Sequence, residues 1–121
     1  VRRMFGRRVD AGDELRDEVL ALAATMACRA PRITVTSRAG VPAALGSREI
    51  CLPAQDLDTW TPLERRGIIA HELAHLDRRD PLWLALCTWL VCLVPFQPLT
   101  RVALRRLRAA AEEAADDVAV A

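Results

Sequence analysis

His71, Glu72 and His75 are the residues whose types and spacing most clearly indicate chemistry. They lie in the stretch "HELAHLDRRD", and the chain contains two histidines in total. Side chains four residues apart lie one above the other on an α-helix, so both imidazoles could bind one metal ion. Two histidines in this spacing are typical zinc ligands, and Glu72 beside them could serve as general base for an attacking water. The motif predicts a hydrolase with a zinc cofactor.

The alternative is that both histidines are ordinary polar residues on a solvated helix face, because the HExxH pattern also occurs by chance. The surrounding sequence argues against this alternative. Thr61, Pro62 and Glu64 form a capping box with proline at the first helical position, which predicts a helix through His75. The opposite side of this helix carries apolar residues spaced for core packing: Ile69, Leu73 and Leu76.

The third metal ligand is predicted to be a carboxylate. A catalytic zinc site normally has three protein ligands, and a pattern with a third histidine is excluded. The segment "AEEAADD" (111–117) on the last predicted helix offers Glu112 and Glu113. The apolar stripe of this helix is centred near Ala111, about 100° from Glu112 and about 200° from Glu113. Glu112 is therefore the predicted ligand, because a ligand must reach a site walled by the core.

The order of the remaining elements predicts an α+β fold. Residues 10–28 form an amphipathic helix, and "RITVTS" and "REICLP" form strands, the first half-buried with Ile33 and Val35 on its apolar face. "VPAALG" contains Pro42 and is at best an edge strand. Two helices follow the histidines, from Pro81 to about Val94 and from Leu99 to about Val120, separated by a proline-rich break. The prediction is an N-terminal helix, a small mixed sheet, the HExxH helix and two further helices.

Composition limits the function further. The net charge of +1 favours no charged partner, so no nucleic acid is expected. The sequence has no GxSxG motif and no glycine-rich phosphate loop, which leaves no candidate for acyl or phosphoryl transfer. The four cysteines lack CxxC pairing and are interpreted as buried free thiols of a reducing compartment. Residues 1–121 are interpreted as a single domain, a fragment of a longer membrane protein.

Residues 81–99 carry no charge. The 16 residues between Asp80 and Gln97 are shorter than the roughly 20 that span a bilayer. Two interpretations stay open: a helix embedded in or packed against membrane helices of the full-length protein, or a helix buried in a soluble core. Arginines flank the segment and suit a cytoplasmic membrane surface: Arg78, Arg79, Arg101, Arg105, Arg106 and Arg108.

The stretches "ERRGIIAHELAHLDRRDPLW", "PFQPL" and "EEAADD" resemble the BlaR/MecR-type family of membrane-embedded bacterial zinc peptidases, over about residues 31–121. The resemblance implies a zincin-like (gluzincin) fold, zinc, endopeptidase activity facing the cytoplasm, and flanking transmembrane helices. The family's ligand glutamate stands four residues before an aspartate that two small residues precede, which maps onto Glu112, Ala114, Ala115 and Asp116. Asp116 would then fix the tautomer of a ligand histidine, His71. The chain has no tyrosine to serve as oxyanion donor, and Arg108 is interpreted as a salt-bridge partner of either acid, with an electrophilic role as the alternative.

Together these features predict a zinc metalloendopeptidase domain at the cell membrane, facing the cytoplasm. Its substrate would be a peptide or protein, either a cytoplasmic regulator or the protein itself. An extended substrate would pair with the edge strand at Ala43, Ala44, Leu45 and Gly46. The alternatives are a non-catalytic zinc-binding domain that transmits a signal, and a soluble HtpX-like gluzincin in protein quality control. The presence of Glu72 favours catalysis.

Overall fold

The structure is a computed structural model, and it describes residues 7–38, 40–93 and 98–120. Within these ranges the chain forms a four-stranded sheet and five helices, which confirms the α+β prediction. The strands are β1 (Arg8–Asp10), β2 (Arg32–Thr36), β3 (Ala43–Leu45) and β4 (Glu49–Pro53). The helices are α1 (Asp13–Thr25), α2 (Ala54–Leu57), α3 (Pro62–Asp77), α4 (Asp80–Leu93) and α5 (Pro98–Val120).

The sheet is mixed and has the order β1-β2-β4-β3. β2 and β4 are parallel neighbours, while β1 and β3 pair antiparallel on the two outer sides. β3 is therefore an edge strand, as its small residues and preceding proline predict. Gly46 follows it with φ +61, a left-handed conformation that glycine adopts without a Cβ clash, and starts the turn into β4.

Two features of the sheet differ from the prediction. The sequence does not predict β1, because three residues in a basic segment carry no periodic signal; an ion pair of 2.8 Å between Arg32 and Asp10 joins it to β2. Thr34 and Thr36, on the face of β2 opposite its apolar residues, are both buried. Burial of Thr34 is tolerated because its hydroxyl donates a hydrogen bond of 2.8 Å to the Glu49 carboxylate.

Helix α3 lies at the centre of the molecule and contacts α1, α4, α5, β3 and β4. It starts with the predicted capping box: Thr61 accepts from the backbone N–H of Glu64, and the Glu64 carboxylate accepts from the backbone N–H of Thr61. Its apolar side packs into the core, as predicted, with Ile69 and Leu73 almost fully buried. Because one face of α3 is held by the core, the direction of its other face is fixed as well.

A left-handed residue, Arg79 with φ +57, ends the run of α3. Its backbone N–H bonds to the Leu76 carbonyl, which closes the last helical turn. The next residue, Asp80, is the first residue of α4. The sharp turn therefore directs α4 back across the end of α3 and brings Asp80 near residues one turn earlier in the chain.

Helix α4 has no fully buried residue, so the interpretation of residues 81–99 as a buried core helix is wrong for the described part of the segment. Most of its large apolar side chains are exposed, because its main contacts among the described elements are with α3 and α5. The prediction that all four cysteines are buried is wrong: Cys51 is buried, Cys28 and Cys87 are half-buried, and Cys92 is exposed. In the described ranges, no helix combines the length and apolar character needed to cross a membrane. The predicted end of α4 at Val94 lies outside the described residues.

Candidate metal centre

His71, His75 and Glu112 meet where α5 crosses the polar face of α3. The two histidine Nε2 atoms lie 3.1 Å apart. Glu112 Oε2 is 3.4 Å from His71 Nε2, and Glu112 Oε1 is 3.6 Å from His75 Nε2. One ligand atom from each residue lies within 4.8 Å of the others, which makes the three a candidate metal-binding group. The helical-stripe argument for Glu112 agrees with this placement, and its role as a ligand stays a prediction.

Each histidine bonds a different aspartate through its other ring nitrogen. His71 Nδ1 lies 2.8 Å from Asp116 Oδ1, so the structure brings Asp116 to the histidine for which the sequence proposes it. His75 Nδ1 lies 2.9 Å from Asp80 Oδ2, a partner that the sequence does not predict. The Asp80 carboxylate bonds both His75 and Arg78.

The donor set fits a metal ion. When both Nδ1–H groups donate to aspartates, both Nε2 atoms direct lone pairs towards the same point, only 3.1 Å apart. Such an arrangement is repulsive unless a proton or a cation lies between the nitrogens. Ligand atoms about 2.0–2.1 Å from a tetrahedral zinc ion are roughly 3.3 Å from one another, close to the separations seen between these three side chains. The residues therefore fit zinc without rearrangement of the helices.

Asp80 also connects the histidines to α5. Arg78 donates hydrogen bonds to the Asp80 carboxylate, and its Nη2 donates to the Ala111 carbonyl at 2.6 Å. Burial by itself would raise the pKa of Asp80, but the hydrogen bonds and charges of Arg78 and His75 outweigh it, so the pKa lies below its ordinary value. Asp80 is therefore ionised at neutral pH. Through Arg78 it holds the segment of α5 that precedes Glu112.

Glu72 lies on the same face of α3 as the histidines and is 7% exposed. Burial is the largest influence on its carboxyl and raises its pKa, although the two histidines and a backbone hydrogen bond from Ala44 act in the opposite direction. The bond from Ala44 connects Glu72 to the edge strand β3. A carboxyl with a raised pKa, adjacent to a candidate metal site, is the usual environment of a general base.

A cleft of about 590 Å³ opens beside these residues. Its polar lining includes His71, Glu72, His75 and Glu112, and its apolar lining includes the edge strand and the start of α4. Ala43 and Ala44 line it, whereas Leu45 and Gly46, the other two predicted substrate contacts, are not among its lining residues. The cleft is within the size range of ligand sites, and one of its walls is a strand edge.

The predicted salt bridge of Arg108 with an acid of α5 is wrong, whereas Glu113 faces away from the site as predicted. Arg108 donates to the hydroxyl of Thr88 on α4 at 3.3 Å, and no ion pair joins it to Glu112 or Asp116 among the described residues. Glu113 is exposed, one position away from the residue that faces the histidines. The apolar stripe of α5 packs less completely than the sequence predicts, since Ala115 is buried while Leu107 and Val118 are more than 40% exposed.

Comparison with known protein families identifies one whose model matches the chain over residues 1–121, and that family is described as BlaR1 peptidase M56. No curated protein sequence matches the chain significantly. Because the family model covers every residue of the sequence, the chain belongs to this peptidase family.

Proposed function

We propose that this member of the BlaR1 peptidase M56 family is a zinc-dependent metalloendopeptidase with a zincin-like (gluzincin) arrangement of its site. The observation that carries the proposal is the meeting of His71, His75 and Glu112 beside a buried Glu72 in one cleft. Peptide hydrolysis needs a Lewis acid and a base on the same side of the scissile bond, and these four residues supply both positions.

Zinc bound by His71, His75 and Glu112 would supply Lewis acidity that makes water more acidic and polarises the scissile carbonyl. Glu72 accepts a proton from the attacking water and delivers it to the peptide nitrogen as the C–N bond breaks, so the base is regenerated. Burial favours both transfers, because it brings the pKa of Glu72 closer to neutrality. Asp80 and Asp116 hold the imidazoles in the tautomer that leaves both Nε2 lone pairs free.

The substrate class that the cleft favours is an extended peptide segment. One edge of β3 pairs with no other strand in the part of the chain that the structure describes, and strand addition there would give a peptide backbone hydrogen bonds without a demand for particular side chains. Ala44→Pro would be an unclear test, because Ala44 also donates to Glu72. N-methylation of the peptide substrate removes its backbone donors one at a time and leaves the protein unchanged. Loss of cleavage at alternate methylated positions is the expected result, and indifference to methylation would contradict strand pairing.

We also propose that the full-length protein lies at the cell membrane, that this domain faces the cytoplasm, and that α4 packs against its membrane portion. Six large apolar residues of α4, all at least 46% exposed, support the proposal: Leu82, Trp83, Leu86, Trp89, Leu90 and Leu93. In the domain, Cys87 is half-buried and Cys92 is exposed. In native membranes both thiols should resist a water-soluble maleimide until detergent is added. Rapid labelling before detergent would contradict the proposal.

Metal content is the first test of the site. Purified protein should bind about one zinc per chain, and His71→Ala or Glu112→Ala should lose it. Glu113→Ala is the matched control, because it removes the same charge one position away and should retain both zinc and peptidase activity. If Glu113→Ala loses zinc while Glu112→Ala keeps it, the assignment of the third ligand is wrong. If the domain were a non-catalytic zinc-binding domain, the parent protein would bind zinc but cleave no peptide.

A further inference from the structure

Three arginines line a second cavity, of about 380 Å³, at the end of the sheet where β3 turns into β4. They are Arg29 before β2, Arg48 in the β3–β4 turn and Arg79 in the α3–α4 turn. The lining contains one acidic residue, Asp77, so three positive charges face one negative charge and the formal excess is two. Three separate segments of the chain contribute these cavity arginines, which makes the positive potential a property of the fold.

Among the described residues, the side chains of the cavity arginines form no ion pair within the fold. Arg32, Arg65 and Arg78 each form an ion pair with an acid at 2.5–2.8 Å. Within the described ranges, none of the three cavity arginines is paired with a carboxylate. An unpaired arginine offers a planar set of donors suited to bidentate binding of a carboxylate. The cavity therefore has the chemistry to bind an acidic group from another molecule.

The cavity adjoins the peptidase cleft. Ala44 lines the cleft, and Ser47, three residues later, lines the cavity. At the start of α4, Pro81 lines the cleft and Leu82 lines the cavity. At about 3.3 Å per residue, a fully extended chain from Ala44 to Ser47 would span roughly 10 Å, and the turn at Gly46 makes the distance shorter. A peptide paired with β3 across the cleft would therefore reach the cavity about three residues from its paired centre. Antiparallel pairing is the commoner arrangement, and it would put the N-terminal part of the peptide at the cavity.

We propose that this cavity is a specificity subsite for an acidic side chain about three residues before the scissile bond of the substrate. The proposal rests on the proposed peptidase function and extends it by naming the substrate class: peptides with aspartate or glutamate upstream of the cleaved bond. The arginines are solvent-exposed, so the gain from charge pairing is modest, about two- to fivefold for an acid over its amide. Salt should reduce that preference, because exposed charges are screened.

The test is the cleavage specificity of the zinc-loaded chain on a peptide library made from a proteome digest, with the cut bonds aligned by mass spectrometry. Aspartate and glutamate should be enriched about two- to fivefold near the third position before the cut. Arg48→Gln and Arg79→Gln should lose most of this enrichment. Arg16→Gln on α1 is the matched control, which removes an exposed arginine outside the cavity and should preserve it. Unchanged zinc content in each variant verifies that the fold is intact.

Absence of acidic enrichment, or enrichment that survives in both cavity variants, would overturn the subsite. If the parent cuts no peptide, the proposed function fails, and the cavity is then judged by binding alone. Fluorescence anisotropy with the Glu72→Gln chain should show a labelled peptide with one glutamate binding about two- to fivefold tighter than its glutamine match. This difference should vanish when Arg48→Gln is added. Equal binding of the two peptides would refute the subsite independently of catalysis.

Discussion

Replacing Asp80 by alanine is expected to weaken zinc binding more than the same replacement of Asp116. Both carboxylates bond a histidine Nδ1 at nearly the same distance, 2.9 and 2.8 Å. Their exposure differs: the side chain of Asp80 is 13% exposed and that of Asp116 is 71% exposed. Hydrogen bonds to a charged partner contribute about 1.5–3 kcal/mol when shielded, whereas exposed charge pairs contribute about 0.2–1 kcal/mol. The structure thus predicts different energetic contributions from two aspartates that make the same contact with a histidine.

These energies convert to affinity ratios. Asp80→Ala should weaken zinc binding about 10- to 100-fold, and Asp116→Ala about fivefold or less. The loss of zinc affinity in Asp80→Ala has a second cause. Arg78 would lose its carboxylate partner, and Arg78 is also the residue that holds α5 through a hydrogen bond to the Ala111 carbonyl. The assay is competition for zinc against a chromophoric chelator at neutral pH. Asp117→Ala is the control, because Asp117 is exposed on the same helix and should leave the affinity unchanged.

The ranking is the part of this prediction that can fail. Equal losses for Asp80→Ala and Asp116→Ala would mean that burial does not set the strength of these bonds. An unchanged affinity in Asp80→Ala would mean that the His75–Asp80 contact does not support the metal site.

Three further predictions concern the helices and the candidate base. Thr61→Ala removes the acceptor for the Glu64 N–H and should lower the free energy of unfolding by about 1 kcal/mol in urea titrations, while Thr61→Ser should retain most of it. Ala27 lies two residues after the end of α1 and has φ +54, so Ala27→Gly should raise the free energy of unfolding by about 1 kcal/mol; a decrease would show that the left-handed conformation is not strained. Burial raises the pKa of Glu72 in the folded chain, so its ionisation destabilises the metal-free fold as pH rises through that pKa. In chelator, Glu72→Gln should therefore have a higher Tm than the parent at pH 8, with the difference closing towards about pH 4. A pH-independent difference would refute the last prediction.

Local signals explain what could be predicted from the sequence. The capping box and the 3.6-residue periodicity of α3 depend on residues within one or two turns, so the start and the buried face of that helix were both predictable. The same periodicity distinguishes Glu112 from Glu113 on α5. An edge position for β3 followed from Pro42 and from small residues that bury little area. Each of these features needs no knowledge of what packs against it.

What could not be predicted depends on contacts between distant segments or on unusual backbone. Asp80 reaches His75 because Arg79 adopts a left-handed conformation, which no residue-type preference for arginine indicates. Arg108 bonds Thr88 because α4 and α5 pack side by side, and periodicity along α5 carries no information about that neighbour. The burial of Thr34 depends on the Glu49 side chain across the parallel pair, a pairing that the sequence does not specify.

Hydrolysis by Glu72→Gln at a matched zinc content is the most direct test of the proposed peptidase. Glutamine keeps the size of the side chain but cannot accept a proton from water. Zinc content should equal that of the parent, because Glu72 is not among the three candidate ligands. Cleavage of an unstructured protein such as casein should fall by at least about 100-fold. Cleavage at the parental rate by a fully zinc-loaded Glu72→Gln chain would contradict the account.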